Sequence, residues 1–535
     1  MSSTQRQVFL ILLFIAAVYF AAFIPANRTG VRDAEMLSIF EVDEYAQYPH
    51  VVRMLTPGDS AYQSLRNFTV YLHYYYGYPF YLSSALSVLP LRLWWGAEWA
   101  AHSPWIITTL RQMISVLPML AALLLLTFMQ TRFRSWPRSV GLFALLLAVP
   151  GVVVNNLWWH VDSLMVLFIV LTLFFLQRDD FRYGRHFLFA AAACGLAVGT
   201  KLLGVFFVLA VPTYLLWGLA RRKLTWGRAA LLGAAFVGVM AAAVVIANPL
   251  LLLPQERAEI LATQRSLFRE ASQGIFLTST DTYFQWGQYP EDFRVHYGEL
   301  GFVLLGLAGL GMGLRKAESR LGSAMILAWA VPMMVVFTVF ATRRTHYFLP
   351  VMLPLISCLV HLLPEGWRPW QITRERWQWG LRIAALMLVL VQFGMYFNQD
   401  TRIYNQQLQR EETSISLGFT ARVEDWIAQE RAGQELRVFR DWRVYLPETE
   451  LRTVQMDWGL PNWEKVSALN PDLIALEQEN ITLYADPGAV ERAVDPGDMQ
   501  WVHEFYRMAQ EDRLPGYQRV LSDDFGVLFA RSPLP

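Results

Sequence analysis

The sequence predicts a multi-pass α-helical membrane protein that ends in a soluble α/β domain. Apolar residues make up 55% of the 535 residues, whereas charged residues make up only 17%. Apolar runs of about twenty residues, the length that crosses a bilayer as a helix, recur from the N-terminus as far as Phe397. Beyond Asn398 these runs stop. We therefore expect a membrane domain over residues 1–397 and a soluble domain over residues 398–535.

The first apolar run, Val8–Ile24, follows an arginine and precedes no small-residue cleavage site, which favours a retained span over a signal peptide. Ten further runs complete the predicted membrane domain. They are Pro104–Met129, Val140–Val154, Ser163–Leu176, Phe187–Gly199, Leu202–Leu219, Ala229–Ala247, Leu300–Leu314, Ser323–Phe340, Phe348–Leu363 and Leu381–Phe397. The total is about eleven spans if Pro79–Trp95 lies in the membrane interface, and about twelve if it crosses.

Charged connectors between the apolar runs indicate on which side of the membrane each connector lies. Five connectors are rich in arginine and lysine, and the positive-inside rule places all five on the cytoplasmic side. They contain Arg132/Arg134/Arg138, Arg178/Arg182/Arg185, Arg221/Arg222/Lys223/Arg228, Arg315/Lys316/Arg320 and Arg368/Arg374/Arg376. With a cytoplasmic N-terminus, this arrangement requires that Pro79–Trp95 does not cross fully. The other connectors then face outward, including a first loop over residues 25–103 and a long loop over residues 248–298.

Composition and motifs exclude several classes of function. The net charge of +1 gives no electrostatic basis for a nucleic-acid partner. The two cysteines, Cys194 and Cys358, lie in different apolar runs and form no CxxC or Cys/His cluster, so we expect no disulfide framework. The sequence contains no Walker motif, no GxGxxG after a strand, no HExxH and no GxSxG.

The C-terminal part has the pattern of a small α/β domain on the outer face. Arg437–Tyr445 and Asp472–Tyr484 are predicted as strands, because β-branched, aromatic and aliphatic residues are frequent in them. Asn462–Leu469 and Met499–Gln510 are predicted as helices, and Tyr517–Arg531 as a closing hairpin. We expect this domain to support the membrane part or to recognise an acceptor.

Asp43 and Glu44 in the first outward loop form the first candidate site. Their aromatic neighbours, among them Phe40 and Tyr45, favour an amphipathic segment that lies on the membrane surface. A carboxylate in such a partly dry place can act as a base on a hydroxyl or an amine. The alternative is a solvated acidic turn, and the residues alone leave both open.

A second outward connector carries His160 and Asp162, and Asp162 begins an apolar run. A carboxylate at the mouth of a cavity can bind a sugar hydroxyl, an amine or a metal ion. One histidine and scattered carboxylates are a weak basis for a metal site, so no metal ligand is assigned and use of a divalent metal is left open. Trp158 and Trp159 are interpreted as anchors at the membrane interface.

Cations at two further outward turns suggest a phosphate partner. Lys201 interrupts an apolar run next to glycine and threonine, which allow a ligand to approach closely. Arg343 and Arg344 stand on the side that the positive-inside rule avoids, and His346 and Tyr347 follow them. Arginine favours phosphate because its planar guanidinium matches phosphate oxygens. Pairing of these cations with the acidic loop itself is the alternative.

These motifs together resemble the GT-C class of integral-membrane glycosyltransferases, the superfamily of protein O-mannosyltransferases and lipid A aminoarabinose transferases. The resemblance rests on four motifs in a fixed order and on one predicted side of the membrane. They are the acidic pair Asp43-Glu44, Asp162 at the start of a span, the Gly199-Thr200-Lys201 hairpin and the Arg-x-x-His-Tyr-Phe-Leu-Pro run that begins at Arg343. The resemblance covers the membrane part of the chain.

The resemblance implies an enzyme that transfers a sugar, a hexose or a pentose, from a polyprenyl-phosphate donor to a glycan, lipid or protein acceptor, with inversion. It implies that Asp43 is the catalytic base and that Glu44 supports it. The residues expected to bind substrate are Asp162, His160, Lys201, Arg343, Arg344, His346 and Tyr347. It implies a cytoplasmic (inner) membrane location with an extracytoplasmic active site, or the endoplasmic reticulum membrane in a eukaryote. No cofactor is specified.

The alternative function is a secondary transporter or a flippase of lipid-linked sugars. Transporters of this kind commonly contain inverted repeats and place their site at mid-membrane. The two halves of this sequence show no convincing repeat, and the candidate residues gather at one predicted membrane face. Both features favour the enzyme.

Overall fold

The structure is a computed structural model that describes residues 2–278, 289–339, 344–362, 376–457 and 459–532. Helices dominate the chain as far as Gln409. The predicted first outward loop, residues 25–103, lies within the stretch of chain that the first seven helices span. They are α1 Ser3–Asn27, α2 Leu37–Phe40, α3 Val42–Leu55, α4 Ala61–Thr69, α5 Tyr78–Trp95, α6 Ser103–Leu110 and α7 Leu117–Thr131. A π-helical turn, Arg111–Val116, joins α6 to α7.

Twelve further α-helices follow among the described residues of the membrane part. The first seven are α8 Trp136–Leu147, α9 Pro150–Asn155, α10 Asp162–Asp179, α11 Arg185–Thr200, α12 Ala210–Ala220, α13 Trp226–Ala247 and α14 Pro254–Gln273. The next five are α15 Glu291–Tyr297, α16 Leu300–Arg315, α17 Arg320–Val339, α18 Leu349–Ser357 and α19 Arg376–Gln409.

Seven helical segments in these described ranges are long and apolar enough to cross a membrane, and the bent pair α15–α16, at 60°, adds an eighth if it is one span. The seven are Ser3–Asn27, Ser103–Thr131, Leu202–Ala220, Trp226–Ala247, Arg320–Phe337, Thr345–Leu362 and Ile383–Gln409. Their outer faces are apolar, with Phe14 69% and Ile246 80% exposed, as a lipid environment requires. The protein is therefore a multi-pass membrane protein, and the count of about eleven spans stays a prediction.

The first outward loop is a folded layer with a core of its own. Aromatic side chains of α3, α5 and the segment between α4 and α5 are buried there, including Tyr48, Tyr71, Phe80 and Tyr81. Stacking of Tyr71 on Tyr81, with 4.6 Å between ring centroids, is one of several such contacts. This layer holds α3, and so Asp43, in a fixed position above the membrane helices.

The first loop contacts the end of α11 through glycine backbone. The amide of Gly77 donates to the carbonyl of Thr200 at 3.0 Å. Asn248 bridges the same place, because its side chain accepts from the amide of Tyr78 at 2.7 Å and donates to the carbonyl of Gly199 at 3.0 Å. The close approach sets the position of Lys201, the next residue after α11.

The C-terminal part is a five-stranded sheet flanked by helices. Its elements are α20 Ile415–Glu430, β1 Leu436–Arg440, β2 Arg452–Met456, α21 Trp463–Leu469, β3 Leu473–Glu477, α22 Gln478–Tyr484, α23 Gly488–Glu491, α24 Pro496–Gln510, β4 Tyr517–Ser522 and β5 Gly526–Arg531. The strand order is β2-β1-β3-β5-β4, with parallel pairing at β1 and antiparallel pairing at β5.

The sequence predictions for this part are confirmed for the two helices and for the hairpin. The strand predicted over Asp472–Tyr484 is wrong in its second half, because Gln478–Tyr484 is helical. Asn480, Ile481 and Tyr484 are buried at helical spacing, and that period overrides the strand propensity of the segment. The predicted domain division at residues 397 and 398 falls within the continuous helix α19.

Gly77→Ala is expected to destabilise the protein, because the added Cβ would lie 1.6 Å from the carbonyl oxygen of Gly199. Relief of that overlap requires the first loop to move away from α11. We expect a loss of about 1–3 kcal/mol, the usual cost of overpacking, measured as a lower Tm in lipid nanodiscs. Gly141→Ala in α8 is the control, since no neighbouring atom of the described residues lies within 4 Å of its added Cβ. Equal Tm values for the two variants would contradict this contact.

Candidate active site

A buried ion pair between Glu44 and Arg111 fixes the first loop to the membrane helices. The two side chains are fully buried, with Nη2 to Oε2 at 2.5 Å and Nε to Oε1 at 2.8 Å. Arg111 also donates to the carbonyls of Asn27 at 2.9 Å and Thr29 at 3.1 Å. The guanidinium therefore joins the end of α1, the start of α3 and the π-helical turn.

The same pair positions the connector between α9 and α10. The backbone amide of Trp159 donates to Oε1 of Glu44 at 2.5 Å. Ser115, on the π-helical turn, donates to the carbonyl of Trp158 at 2.6 Å and accepts from the amide of His160 at 3.2 Å. A π-helical turn of this kind is frequently found at a functional site. Its role here is to hold the backbone on both sides of Trp159, directly before His160.

Asp43 and Glu44 are adjacent in sequence but face different environments. Successive residues of a helix point about 100° apart, so burial of Glu44 turns Asp43 towards an open cavity. The Asp43 side chain is 39% exposed and lines a cavity of about 860 Å³. The cavity walls also include His50, His73 and Tyr76. Glu44, with its oxygens paired and buried, holds α3 in place and does not reach this cavity.

His160 and Asp162 connect Asp43 to Lys201. Nε2 of His160 lies 4.0 Å from Oδ2 of Asp43, and Nδ1 lies 2.5 Å from Oδ2 of Asp162. Oδ1 of Asp162 accepts from the ammonium of Lys201 at 2.7 Å. Residues from three predicted outward connectors therefore form one row of alternating charged and polar groups. Asp162 is fully buried, and Lys201 supplies the opposite charge that a buried carboxylate requires.

Residues between α17 and α18 complete this row. Nε2 of His346 lies 3.7 Å from Oδ2 of Asp162, and the ring of Tyr347 lies 4.5 Å from the ammonium of Lys201. Arg344 is exposed beside them. Arg343, which the sequence also singles out, lies outside the described residues.

Aromatic rings enclose the imidazole of His160. The hydroxyl of Tyr76 lies 2.7 Å from Nε2, and Trp158 stacks on the ring with 4.0 Å between centroids. The interpretation of Trp159 as a membrane-interface anchor is wrong, because its side chain is fully buried against Phe80 and donates to Ser84. Both tryptophans contact residues of the site, because Trp158 stacks on His160 and the amide of Trp159 donates to Glu44.

Burial shifts the pKa of two groups in the first loop. Burial, followed by the neighbouring His50, lowers the pKa of His73 to about 3, so His73 is neutral at physiological pH. Burial, followed by the charge of Glu44, raises the pKa of Glu41 to about 7. Arg410 lies 3.2 Å from Glu41 and favours its charged form.

His160, Asp162 and His346 offer ligand atoms that all lie within 4.8 Å of one another, as a shared metal ion would require. The ammonium of Lys201 already neutralises the same carboxylate at 2.7 Å. Lys201 therefore supplies positive charge to Asp162 at the place where a metal ion would otherwise do so.

Arg111 and Tyr76 are the two central residues that the sequence does not rank. Arg111 is the single charged residue between Ser103 and Thr131, and such a charge inside an apolar span is a signal of function. That signal is sufficient to find it. Tyr76 is one of four tyrosines within the short segment Tyr71–Tyr76, and nothing in the sequence separates it from its neighbours.

Comparisons with known proteins identify the fold. No family model matches the sequence, and no curated protein matches it. ArnT from Cupriavidus metallidurans bound to undecaprenyl phosphate superposes with a TM-score of 0.55 at 13% identity, covering 100% of both chains. Its apo form gives a TM-score of 0.53 at 13% identity, covering 98% of this chain and 99% of ArnT. ArnT is a lipid A aminoarabinose transferase of the GT-C class. The chain thus has the GT-C fold that its motifs predict.

Glu44→Gln is expected to destabilise the protein by about 3–5 kcal/mol, because it leaves the buried guanidinium of Arg111 without its counter-charge. Chemical unfolding in nanodiscs measures the loss. Glu318→Gln is the control, since the Arg134–Glu318 pair is 3.6 Å long with side chains 70% and 86% exposed, and we expect no measurable change there. Similar stabilities for both variants would contradict the clamping role of Glu44.

Proposed function

We propose that the protein is a glycosyltransferase that moves a sugar from a polyprenyl-phosphate donor to an acceptor at the extracytoplasmic face of the membrane. The observation that carries the proposal is the row Asp43–His160–Asp162–Lys201. This row brings a carboxylate that faces a cavity and a lysine cation into the same site. The fold supports it, since ArnT in this fold binds undecaprenyl phosphate. The transferred sugar is a hexose or a pentose.

Lys201 and Arg344 are proposed to hold the phosphate of the donor. Lys201 uses one of its three N–H donors on Asp162, so two remain for phosphate oxygens. The apolar helices around this end of the bundle suit a polyprenyl chain, because burial of each CH₂ group contributes about 0.8 kcal/mol. Arg343, beside Arg344 in sequence, is proposed to act with it.

Asp43 is proposed to act on the acceptor. The cavity of about 860 Å³ opens to this carboxylate and is lined by rings of Tyr45, Tyr75 and Tyr76, which suit a sugar or another polar acceptor. Asp43 takes the proton from the acceptor hydroxyl or amine as the acceptor atom forms its bond to the anomeric carbon. The bond from that carbon to the phosphate oxygen breaks, and its electron pair leaves with the phosphate. One displacement of this kind inverts the anomeric carbon.

His160 and Asp162 are proposed to position the two ends of this reaction. Asp162 holds Lys201 and the His160 ring at once, so cation and imidazole have a fixed separation. The ring then stands between Asp43 and the phosphate end of the site. Such preorganised charges stabilise a transition state more than mobile ones do, because little reorganisation is needed as charge develops.

The positive-inside rule supports the proposed sidedness. The basic connectors, which include Arg134, Arg222 and Lys316, alternate along the chain with the connectors that carry Asp43 and Lys201. The site residues therefore share the face opposite to those basic connectors. A lipid-linked donor suits this face, because nucleotide sugars are confined to the cytosol.

Asp43→Asn is expected to lower kcat for sugar transfer by about 10²–10⁴-fold, because the amide cannot take up the acceptor proton. The assay uses purified protein in nanodiscs with undecaprenyl-phosphate sugars and a panel of acceptors, read by mass spectrometry. Asp59→Asn, which changes an exposed carboxylate of the same loop outside the cavity, is expected to retain activity. Full turnover in Asp43→Asn would remove Asp43 as the base, and movement of the lipid across vesicles without transfer would favour a flippase.

The double variant Asp162→Asn/Lys201→Met is expected to fold, because it removes both charges of the buried pair together. It is expected to lose transfer by about 10²–10³-fold, because the ammonium group proposed to bind the donor phosphate is gone. Lys201→Met alone is expected to be less stable than the double variant, since it leaves the buried carboxylate of Asp162 without the ammonium group that neutralises it. Steady-state kinetics with varied donor and thermal unfolding measure the two effects. Lys223→Met, on the opposite predicted face, is the control for lost charge. A fully active double variant would contradict the role of Lys201.

A further inference from the structure

An apolar groove and a basic cavity adjoin at the end of the membrane part that the positive-inside rule assigns to the cytoplasm. The groove has a volume of about 320 Å³ and lies between α8, residues 359–362 and α19. The basic cavity has a volume of about 560 Å³ and lies between the connectors that follow α7 and α16. Arg138 lines both spaces, and its guanidinium donates to the carbonyl of Val360 at 2.9 Å. The two spaces therefore meet at this arginine.

The groove has the chemistry and the length of a site for an acyl chain. Apart from Arg138, the described residues that line it carry no polar side chain. From Pro137 to Leu145 the helix α8 rises about 12 Å, which is close to the hydrocarbon thickness of one leaflet. Leu386 and Leu390 in the wall are 37% and 54% exposed, so the groove is open to the surrounding lipid.

The charged side chains of the basic cavity select an anion. Among the described residues of its lining, Arg132, Arg134, Arg138 and Lys316 are basic, and Glu318 is acidic. The side chain of Glu318 is 86% exposed and lies 3.6 Å from Arg134, so it offsets little of the positive charge. An anionic group in this cavity would therefore be attracted, and a cationic group would be repelled.

The surroundings of Arg132 show why an anion would be stabilised here. Arg132 is half-buried and donates to the amide oxygen of Gln177 at 3.5 Å, which is a neutral acceptor. Burial, followed by the charge of Arg134, lowers the pKa of Arg132. Both effects disfavour the guanidinium cation. A phosphate in the cavity would oppose both, because it brings a negative charge to two neighbouring arginines.

We propose that these adjoining spaces bind an anionic phospholipid, with its phosphate headgroup in the basic cavity and an acyl chain in the groove. Basic pockets between membrane helices on the cytoplasmic side are suited to such headgroups. An uncharged lipid would fill the groove but gain nothing from the cations, and a free anion would leave the groove empty. The inference does not rest on the proposed function, since neither space shares a lining residue with the cavity of Asp43.

Native mass spectrometry of the full-length protein, released from detergent with added lipid, tests the choice of ligand. The probes are phosphatidylglycerol, cardiolipin and phosphatidylcholine with the same acyl chains. We expect the protein to bind the two anionic lipids about tenfold more tightly than phosphatidylcholine, because several cations meet the headgroup. Equal binding of the three lipids would overturn the inference. Displacement of the anionic lipid by an excess of inorganic phosphate would also overturn it, because the cavity would then be a site for free phosphate.

The double variant Arg132→Gln/Arg134→Gln tests the basic cavity. It should remove most of the preference for the anionic lipids, because two of the lining cations are lost. Arg221→Gln/Arg222→Gln is the matched control, since it removes two arginines from another basic connector that lines neither space. Arg132 and Arg222 both have a positive φ, 51° and 56°, so the two variants place glutamine in similar backbone conformations. Equal preference in the two variants would contradict the role of the cavity.

Gly141→Phe tests the groove. No neighbouring atom of the described residues lies within 4 Å of the added Cβ, so the phenyl ring can occupy the groove from α8. It should weaken binding of the anionic lipids about tenfold, because the acyl chain loses its place. Gly238→Phe in α13 is the control, because its added Cβ is equally open and lies outside both linings. Equal binding by these two variants would remove the groove from the site.

The outcomes separate this inference from the proposed function. Lys201→Met should keep the preference for the anionic lipids, because Lys201 lines neither space. If the wild type binds these lipids selectively but transfers no sugar from any donor, the proposed function fails and the lipid site stands. If transfer is robust and the lipids bind equally, the lipid site fails alone.

Discussion

The buried pair of Glu44 and Arg111 is the interaction on which the rest of the site depends. A single charge inside a bundle of apolar helices is costly, and the two charges are tolerated because they satisfy each other and the backbone around them. Glu44 also accepts from the amide of Trp159, and Arg111 donates to the carbonyls of Asn27 and Thr29. Four separate parts of the chain therefore meet at one point. The position of Asp43 follows from this arrangement, since the neighbouring carboxylate fixes the rotation of α3.

The row from Asp43 to Lys201 also contains a buried carboxylate that is paired with a cation, because Asp162 pairs with Lys201 as Glu44 pairs with Arg111. Asp162 is buried and paired, whereas Asp43 is 39% exposed and lies 4.0 Å from Nε2 of His160. A paired, buried carboxylate is suited to hold neighbours in place, and an open one is suited to exchange a proton. The different roles proposed for these two aspartates therefore come from their surroundings, since both side chains carry the same carboxylate.

The sequence is sufficient to predict many of the residues that form the site, but it is not sufficient to predict how they are arranged. Sidedness of basic connectors is sufficient to place Asp43, Asp162 and Lys201 on one face, and the structure brings these residues together. The difference between Asp43 and Glu44 is invisible in the sequence, because it depends on which face of α3 meets Arg111. Gln478–Tyr484 shows a related limit: a short apolar segment satisfies strand and helix patterns alike until its neighbours decide which side chains are buried.

The C-terminal domain is joined to the first loop by ionic contacts, and this limits how independent it can be. Arg440 pairs with Glu35 at 2.5 Å, and the hydroxyl of Tyr445 donates to Asp33 at 2.5 Å. Arg410, at the end of α19, pairs with Glu41 directly before α3. Any displacement of the domain would therefore act on the helix that carries Asp43. The domain also lines the cavity of Asp43 directly through Gly459, so it forms part of the wall of that cavity and helps to set the position of the carboxylate in it.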